Sequence, residues 1–218
     1  GEGTDKNALT AAEWFRKSAA AGHAGAKYQL ARLYDAGTGV DKNAQTSREW
    51  LRKAADAGDA QAQADLGLAY DLGNGVPVNH ALAAKWYRPA AERGVPAAPC
   101  GLGLLSAMGE GVPLNYENAV HWLTLAADQD YASAMSTLGE LYETGLGTEK
   151  NAAAAARIYR RGAELGDELC AASLASLYQA GRGVKRDLAE SCKWYALAAL
   201  EASPELTAEA KRAARAAA

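Results

Sequence analysis

Residue types that build metal and disulfide centres are thin in this chain. Its three cysteines, Cys100, Cys170 and Cys192, stand at unrelated positions and make no disulfide framework. Its three histidines, His23, His80 and His121, show no His-x3-His spacing, and there is no Cys-x2-Cys. A zinc site needs three or four convergent ligands, so no metal and no cofactor is expected. A basic excess is also missing. The net charge is −3 and the pI near 5.7, which leaves no positive stripe for a nucleic-acid backbone. No apolar run approaches the length that crosses a bilayer. With neither a signal peptide nor an initiating Met, the sequence is expected to be a mature or trimmed segment, and its compartment cannot be read from it. No serine nucleophile elbow is present.

What the chain does have is a beat. Trp14, Trp50, Trp86 and Trp122, then Ile158 and Trp194, recur every 36 residues. Each is followed by a large residue: Phe15, Leu51, Tyr87, Leu123, Tyr159 and Tyr195. Gly-x-Gly keeps the same phase at Gly1/Gly3, Gly37/Gly39, Gly73/Gly75, Gly109/Gly111, Gly145/Gly147 and Gly181/Gly183. These pairs precede no Lys-Ser/Thr and lie in no βαβ context, so they are not phosphate loops. A fixed period of this length marks a repeat architecture, which offers an extended surface more readily than a catalytic pocket.

Each period divides into two helices. Ala62, Leu66, Gly67, Ala69 and Tyr70, with Ala26, Leu30, Ala31, Leu33 and Tyr34 in phase, form one helical stripe. This helix A is expected to end at the first glycine of Gly-x-Gly, which can turn left-handed after a helix. Asn7, Asn43, Asn79, Asn115, Asn151 and Asp187 then read as N-caps of a helix B. Helix B carries Ala83, Trp86, Tyr87 and Ala91 in one period, and closes at Gly22, Gly58, Gly94 and Gly166, with Asp130 as the exception. Short connections make the two helices antiparallel and let pairs stack.

The pattern Ala-x3-Leu-Gly-x2-Tyr-x2-Gly-x-Gly-Val, then Ala-x2-Trp-Tyr-x2-Ala-Ala-x2-Gly, is carried by Ala62, Leu66, Gly67, Tyr70, Gly73, Gly75, Val76, Ala83, Trp86, Tyr87, Ala90, Ala91 and Gly94. It resembles the SEL-1-like repeat, a relative of the tetratricopeptide repeat, over about residues 1–200. The resemblance implies an all-α, right-handed α/α superhelix of 36-residue antiparallel helix pairs. Such families consist mostly of adaptors and scaffolds, many bacterial, often periplasmic or secreted, that hold partners on a concave face. A cysteine-rich branch pairs cysteines seven residues apart in each repeat, a spacing this chain lacks.

The expected organisation is one solenoid over 1–203, with five full A/B units after a leading helix B, and a capping helix over 204–218 that begins at Ser203-Pro204. The helix B near Trp14 is expected to lack a neighbour on its apolar side, which would suit self-association through that end. The repeat is most irregular from Pro96: Ser106 replaces the phased Tyr, Pro89 falls inside a helix B, and Pro96 and Pro99 fall in a first turn. A local kink and a change of superhelix curvature are both compatible with this.

Positions off the helix A packing stripe are expected to face the groove. They are Arg32, Asp35, Leu68, Asp71, Cys100, Leu104, Met108, Glu140, Glu143, Ser176 and Gln179. Leu68, Leu104 and Met108 would form an apolar centre bordered by Asp71, Glu140 and Glu143, suited to a peptide with an apolar anchor and basic flanks. A solvated face with packed leucines is the plainer alternative. Cys100, Cys170 and Cys192 are expected to be small buried hydrophobes, with Cys100 a thiol of interest if the groove exposes it. The function expected is a non-enzymatic protein–protein interaction module for a protein or peptide partner, with no nucleic acid and no membrane insertion. The alternatives are an immunity-type inhibitory binding protein and, behind it, a hydrolase of cell-wall-related substrates.

Overall fold

A computed structural model describes residues 2–202, with the side chains of 7–200 and 202. The described residues form eleven α-helices and no strand. They are α1 (Glu2–Ala20), α2 (Ala24–Ala36), α3 (Ala44–Asp56), α4 (Ala60–Leu72), α5 (His80–Glu92), α6 (Ala97–Met108), α7 (Tyr116–Ala127), α8 (Ala132–Thr144), α9 (Ala152–Glu164), α10 (Glu168–Ala180) and α11 (Leu188–Ala202). The expected capping helix over 204–218 lies outside the described residues. The fold is an all-α helical-repeat solenoid whose contacts fall into two compact units, Gly1–Gly101 and Leu102–Ala218.

Local chemistry places the helix ends. Asn43, Asn79, Asn115 and Asn151 each accept the amide of the third residue on, at 2.9–3.0 Å, satisfying a donor the first turn cannot pair. Asp187 does the same for Ala189 and Glu190. Asn7 does not cap. Helix α1 starts at Glu2 and runs through Gly3 and Asn7, so Asn7 lies inside a helix and not at its start. His23 makes no side-chain cap bond and is exposed, whereas Asp59 and Asp167 at its phase do cap.

The glycines mark the C-termini. Gly37, Gly73, Gly145 and Gly181 sit at φ between +68° and +81° and return an amide to the carbonyl four residues back, the left-handed helix stop. At the ends of the B helices Asp130 takes a left-handed conformation without being glycine, at φ +59°; its amide bonds Ala127 O at 3.0 Å and its carboxylate is held by Arg161 at 2.7 Å. The amide of each B-helix cap bonds the carbonyl of the phased Tyr, as Asn43 to Tyr34 at 2.8 Å, and the bond persists from Asn115 to Ser106 at 2.9 Å. Backbone geometry therefore survives the Tyr-to-Ser replacement. Ser106 is buried and spends its hydroxyl on Leu102 O at 2.7 Å. Pro89 lies inside α5, which runs through it from His80 to Glu92, and Pro99 lies buried in the first turn of α6.

In the first unit α1 packs on α2, α2 on α3, α3 on α4 and α4 on α5. Trp50 covers Ala19, Ala26 and Leu30; Trp86 covers Ala54, Ala55, Ala62 and Leu66. These two tryptophans thus seal the alanine-lined seams of the preceding pairs, where small residues let helices approach closely. Trp14 has no such seam beneath it among the described residues. It is 65% exposed, with the Lys17 ammonium 4.7 Å from its ring. In the second unit α8 packs on α7, α9 and α10, and α10 on α9 and α11, around Leu123, Met135, Leu138, Tyr159, Leu174 and Leu177.

Buried tyrosines need room. A Cβ on Gly67 would lie 2.6 Å from Tyr87 Cδ1, and one on Gly101 would meet the other side of the same ring. Gly139 makes the same space for Tyr159. Where Leu51 occupies that phase, Ala31 stands in place of the glycine.

Candidate functional site

The first unit holds an open cleft of about 770 Å³ between α2 and α4, floored by the start of α3. Arg32 and Asp35 enter it from α2, Leu68 and Asp65 from α4, and Arg48 from α3. Three of the residues expected on a partner-facing surface, Arg32, Asp35 and Leu68, are therefore brought to one place. Leu68 is 45% exposed, and Leu72, one turn on, is 63% exposed.

The cleft's polar groups divide into spent and unspent. Tyr28 donates its hydroxyl to Asp65 Oδ2 at 2.8 Å. Burial, then the hydrogen bond to Asp65, pushes the Tyr28 phenol up to about 12, and burial also raises Asp65. Arg32, Arg48 and Asp35 are exposed.

Other expected surface residues are not free. Asp71 accepts the Tyr87 hydroxyl at 3.3 Å and lies 3.9 Å from His80 Nε2. Glu143 accepts the Tyr159 hydroxyl at 3.3 Å and pairs with Arg182 at 2.8 Å. Both carboxylates are only 18% exposed, so their first duty is to the buried tyrosines. Arg182 also donates to Ser176 at 3.4 Å, which joins Ser176 and Glu143 in one cluster of the second unit. Glu140 and Gln179 are exposed, Leu104 is half-buried, and Met108 is 58% exposed.

Cys100 is the small buried hydrophobe expected, and its expected place facing the groove is corrected. It is 5% exposed, and burial, with Asp71 adding to it, raises its thiol to about 11. It lines no accessible surface, because its side of α6 is closed off in the core. Cys170 is likewise buried and raised, chiefly by desolvation. Cys192 was expected to be buried and is exposed. Ala84 and Ala156 at its phase are buried, but no helix follows α11 among the described residues. All three cysteines are free. Among the described residues no cluster of His, Cys, Asp and Glu could hold a metal, and no helix is long and apolar enough to cross a membrane.

A recurring rung went unread in the sequence. Arg16 donates to the Tyr34 hydroxyl at 3.2 Å, Arg52 to Tyr70 at 3.5 Å, and Arg160 to Tyr178. Arg52 also lies 5.4 Å from the Trp86 ring, and Arg160 lies 5.9 Å from Trp194. The signal was the arginine itself, at 16, 52, 88 and 160. The phase fails in the middle, where Ser106 stands 18 residues after Arg88 and Thr124 stands 18 before Tyr142.

The Sel1 repeat family matches residues 1–23, 24–59, 60–95, 96–131, 132–167 and 169–203. A protective antigen of uropathogenic Escherichia coli strains displaying an SLR fold, c5321, is 38% identical at a TM-score of 0.79 over 88% of this chain, which spans 41% of that protein. A Sel1 repeat protein from Oxalobacter formigenes is 34% identical at a TM-score of 0.80, over 90% of this chain and 83% of its own. The immunity protein Pa5087 of Pseudomonas aeruginosa is 26% identical at a TM-score of 0.53, over 89% of this chain and 75% of its own. No curated protein matches the sequence. Six matches to the family lie between residues 1 and 203, and the chain belongs to the Sel1 repeat family.

Proposed function

We propose that the chain is a non-enzymatic protein–protein interaction module that holds a peptide or protein segment on surfaces presented by its A helices. The observation that carries this reading is the cleft between α2 and α4, where Arg32, Asp35 and Leu68 converge. Concave sites lined by apolar surface with a few placed polar groups are where proteins take up ligands, and successive helix pairs supply a rigid frame for one. The second unit offers candidate positions of its own: Glu140, Gln179 and Met108 are exposed, and Leu104 is half-buried.

A photo-crosslinking amino acid at position 68, and another at exposed position 165 as a control, tests the reading in cells of the source organism. A discrete adduct from position 68 that is absent from 165 supports it. Equal or absent adducts at both positions refute it. A second reading, an immunity-type protein that inhibits its partner, draws on the likeness to the Pseudomonas immunity protein. It requires that a stoichiometric complex abolish the partner's activity; a partner that stays fully active in the complex rules it out.

A further inference from the structure

The loop that leaves α4 carries Asn74–Gly75, and no other asparagine in the chain is followed by glycine. Asparagine is a thermally labile residue. The next amide nitrogen can attack its side-chain carbonyl, and glycine has no side chain to block the approach. Whether a folded chain allows this depends on what holds the two residues. Here both are exposed and lie outside any helix. Neither the Asn74 side chain nor the Gly75 amide makes a hydrogen bond among the described residues; the Asn74 amide is tied to Ala69 O at 2.9 Å. The asparagines that start the B helices differ on both counts. Asn43, Asn79, Asn115 and Asn151 have their Oδ1 atoms held by backbone amides, and a residue with a side chain follows each: Ala44, His80, Tyr116 and Ala152.

Arg48 brings a charge to the same point. Its phase is filled by Ala12, Ala84 and Ala156 in other periods, all buried. In the one period that contains Asn-Gly it is an exposed arginine. A Cβ on Gly39, Gly147 or Gly183, in phase with Gly75, would first meet backbone atoms of the preceding B helix. On Gly75 it would first meet Arg48, with Nη1 at 2.8 Å and Cδ at 2.9 Å. The guanidinium thus lies against the backbone of the residue whose nitrogen must give up a proton. A neighbouring cation favours the ionised form of an acid and stabilises negative charge that develops beside it.

We propose that Asn74–Gly75 is a self-modifying site on the wall of the cleft, assisted by Arg48. Gly75 N loses its proton to hydroxide and bonds Asn74 Cγ. The Asn74 Cγ–Nδ2 bond breaks, Nδ2 takes a proton from water, and ammonia leaves a cyclic succinimide. Water then adds to either ring carbonyl and opens it, so that position 74 carries aspartate or isoaspartate. Asn74 lines the cleft between α2 and α4, whose charged residues are Arg32, Arg48, Asp35 and Asp65. Conversion adds a third carboxylate beside Arg48, and the cleft passes from balanced charge to acidic as the protein ages.

The full chain is incubated folded at neutral and at mildly alkaline pH, sampled over weeks, digested and mapped by mass spectrometry. Electron-transfer fragmentation separates aspartate from isoaspartate. Product should accumulate at position 74 and not at 43, 79, 115 or 151, and faster at the higher pH. Arg48→Gln should slow it about fivefold, the effect of one unit charge a few ångströms away in water. Arg48→Lys, which keeps the charge, should retain most of the wild-type rate. Arg48 is exposed, so both variants should keep the fold, and circular dichroism checks it. Position 74 intact in the folded chain, while a urea-unfolded sample converts, would overturn the site. Equal rates in wild type and Arg48→Gln would overturn the part assigned to Arg48.

Discussion

Gly67→Ala should destabilise a helix that the same change would ordinarily strengthen. In a helix interior, replacing Gly by Ala gains roughly 0.5–1 kcal/mol. At Gly67 the added Cβ lies 2.6 Å from Tyr87 Cδ1 and 2.8 Å from Cε1, against an ordinary carbon–carbon separation of about 3.5–4.0 Å. The ring must retreat by about 1 Å. It has nowhere to go: Gly101 closes on its other edge, it is 2% exposed, and its hydroxyl is tied to Asp71 at 3.3 Å. Overpacking of this kind costs about 1–3 kcal/mol, so the net loss is about 1–2 kcal/mol after the propensity gain. At a urea slope of about 2–3 kcal/mol/M the midpoint falls by about 0.5 M. Gly25, exposed, with only Asp59 Oδ2 at 3.8 Å from its added Cβ, is the control, and Gly25→Ala should be neutral or stabilising. The repeat supplies the rescue, since Ala31 with Leu51 is the same position one period earlier. Gly67→Ala combined with Tyr87→Leu should be more stable than the two single losses sum to, by about 1 kcal/mol or more. Urea unfolding of the full chain followed by circular dichroism measures all four. A Gly67→Ala protein as stable as wild type, or strict additivity in the pair, refutes the packing argument.

Trp86→Ala, which strips the cover from Ala54, Ala55, Ala62 and Leu66, should cost about 2 kcal/mol or more, while Trp14→Ala should stay within about 0.5 kcal/mol; equal losses in thermal or urea unfolding would contradict the seam model. Gln63 is 7% exposed and its Oε1 has no partner, although Nε2 donates to Ala55 O at 3.2 Å. Ala55 O keeps the Gly58 amide at 3.0 Å, and Met135 already fills this phase fully buried, so Gln63→Met should raise stability by about 1 kcal/mol, and a clear loss would show that the amide is needed. Native protein at pH 8 should react with a thiol reagent at Cys192 alone, since the Cys100 thiol is raised to about 11 and Cys170 is buried; peptide mapping that finds rapid labelling of Cys100 would sink this.

Most of the fold was legible because a solenoid writes its contacts into the sequence at one spacing. Asn caps, left-handed glycines and sealing tryptophans each perform one local task, and repetition separates them from chance. Asn7 shows the limit: the residue is in phase, but capping also needs a loop that ends before it, and α1 already runs from Glu2. The cleft was legible in part. Arg32, Asp35 and Leu68 were found as positions off the packing stripe, whereas Arg48 and Tyr28 were not. Arg48 lies on a B helix, and Tyr28 acts by a hydrogen bond to Asp65, 37 residues on. Cys100 misled because phase says which way a residue points and not whether a neighbour covers it.

The carboxylates show how a repeat separates structural residues from those left for recognition. Asp71 and Glu143 occupy one phase, and the residue 16 positions on is Tyr87 or Tyr159; each acid accepts that tyrosine's hydroxyl. Asp35 occupies the same phase, but 16 positions on stands Leu51, which has no hydroxyl to give. The acid is kept at that period without the partner that explains it elsewhere. The neighbouring phase varies freely, through Arg32, Leu68, Leu104, Glu140 and Ser176. Constant phases hold helices together, and a phase under no packing constraint is free to carry binding chemistry. By this logic the proposed partner-facing residues of the first unit are Asp35, which lacks the repeat's internal pairing, and Arg32 and Leu68 on the freely varying phase, all three lining the same cleft. Asp35→Ala should therefore leave stability unchanged, whereas Asp71→Ala should cost about 1 kcal/mol by removing an acceptor of the Tyr87 hydroxyl; equal effects in urea unfolding would show that the two acids do the same work.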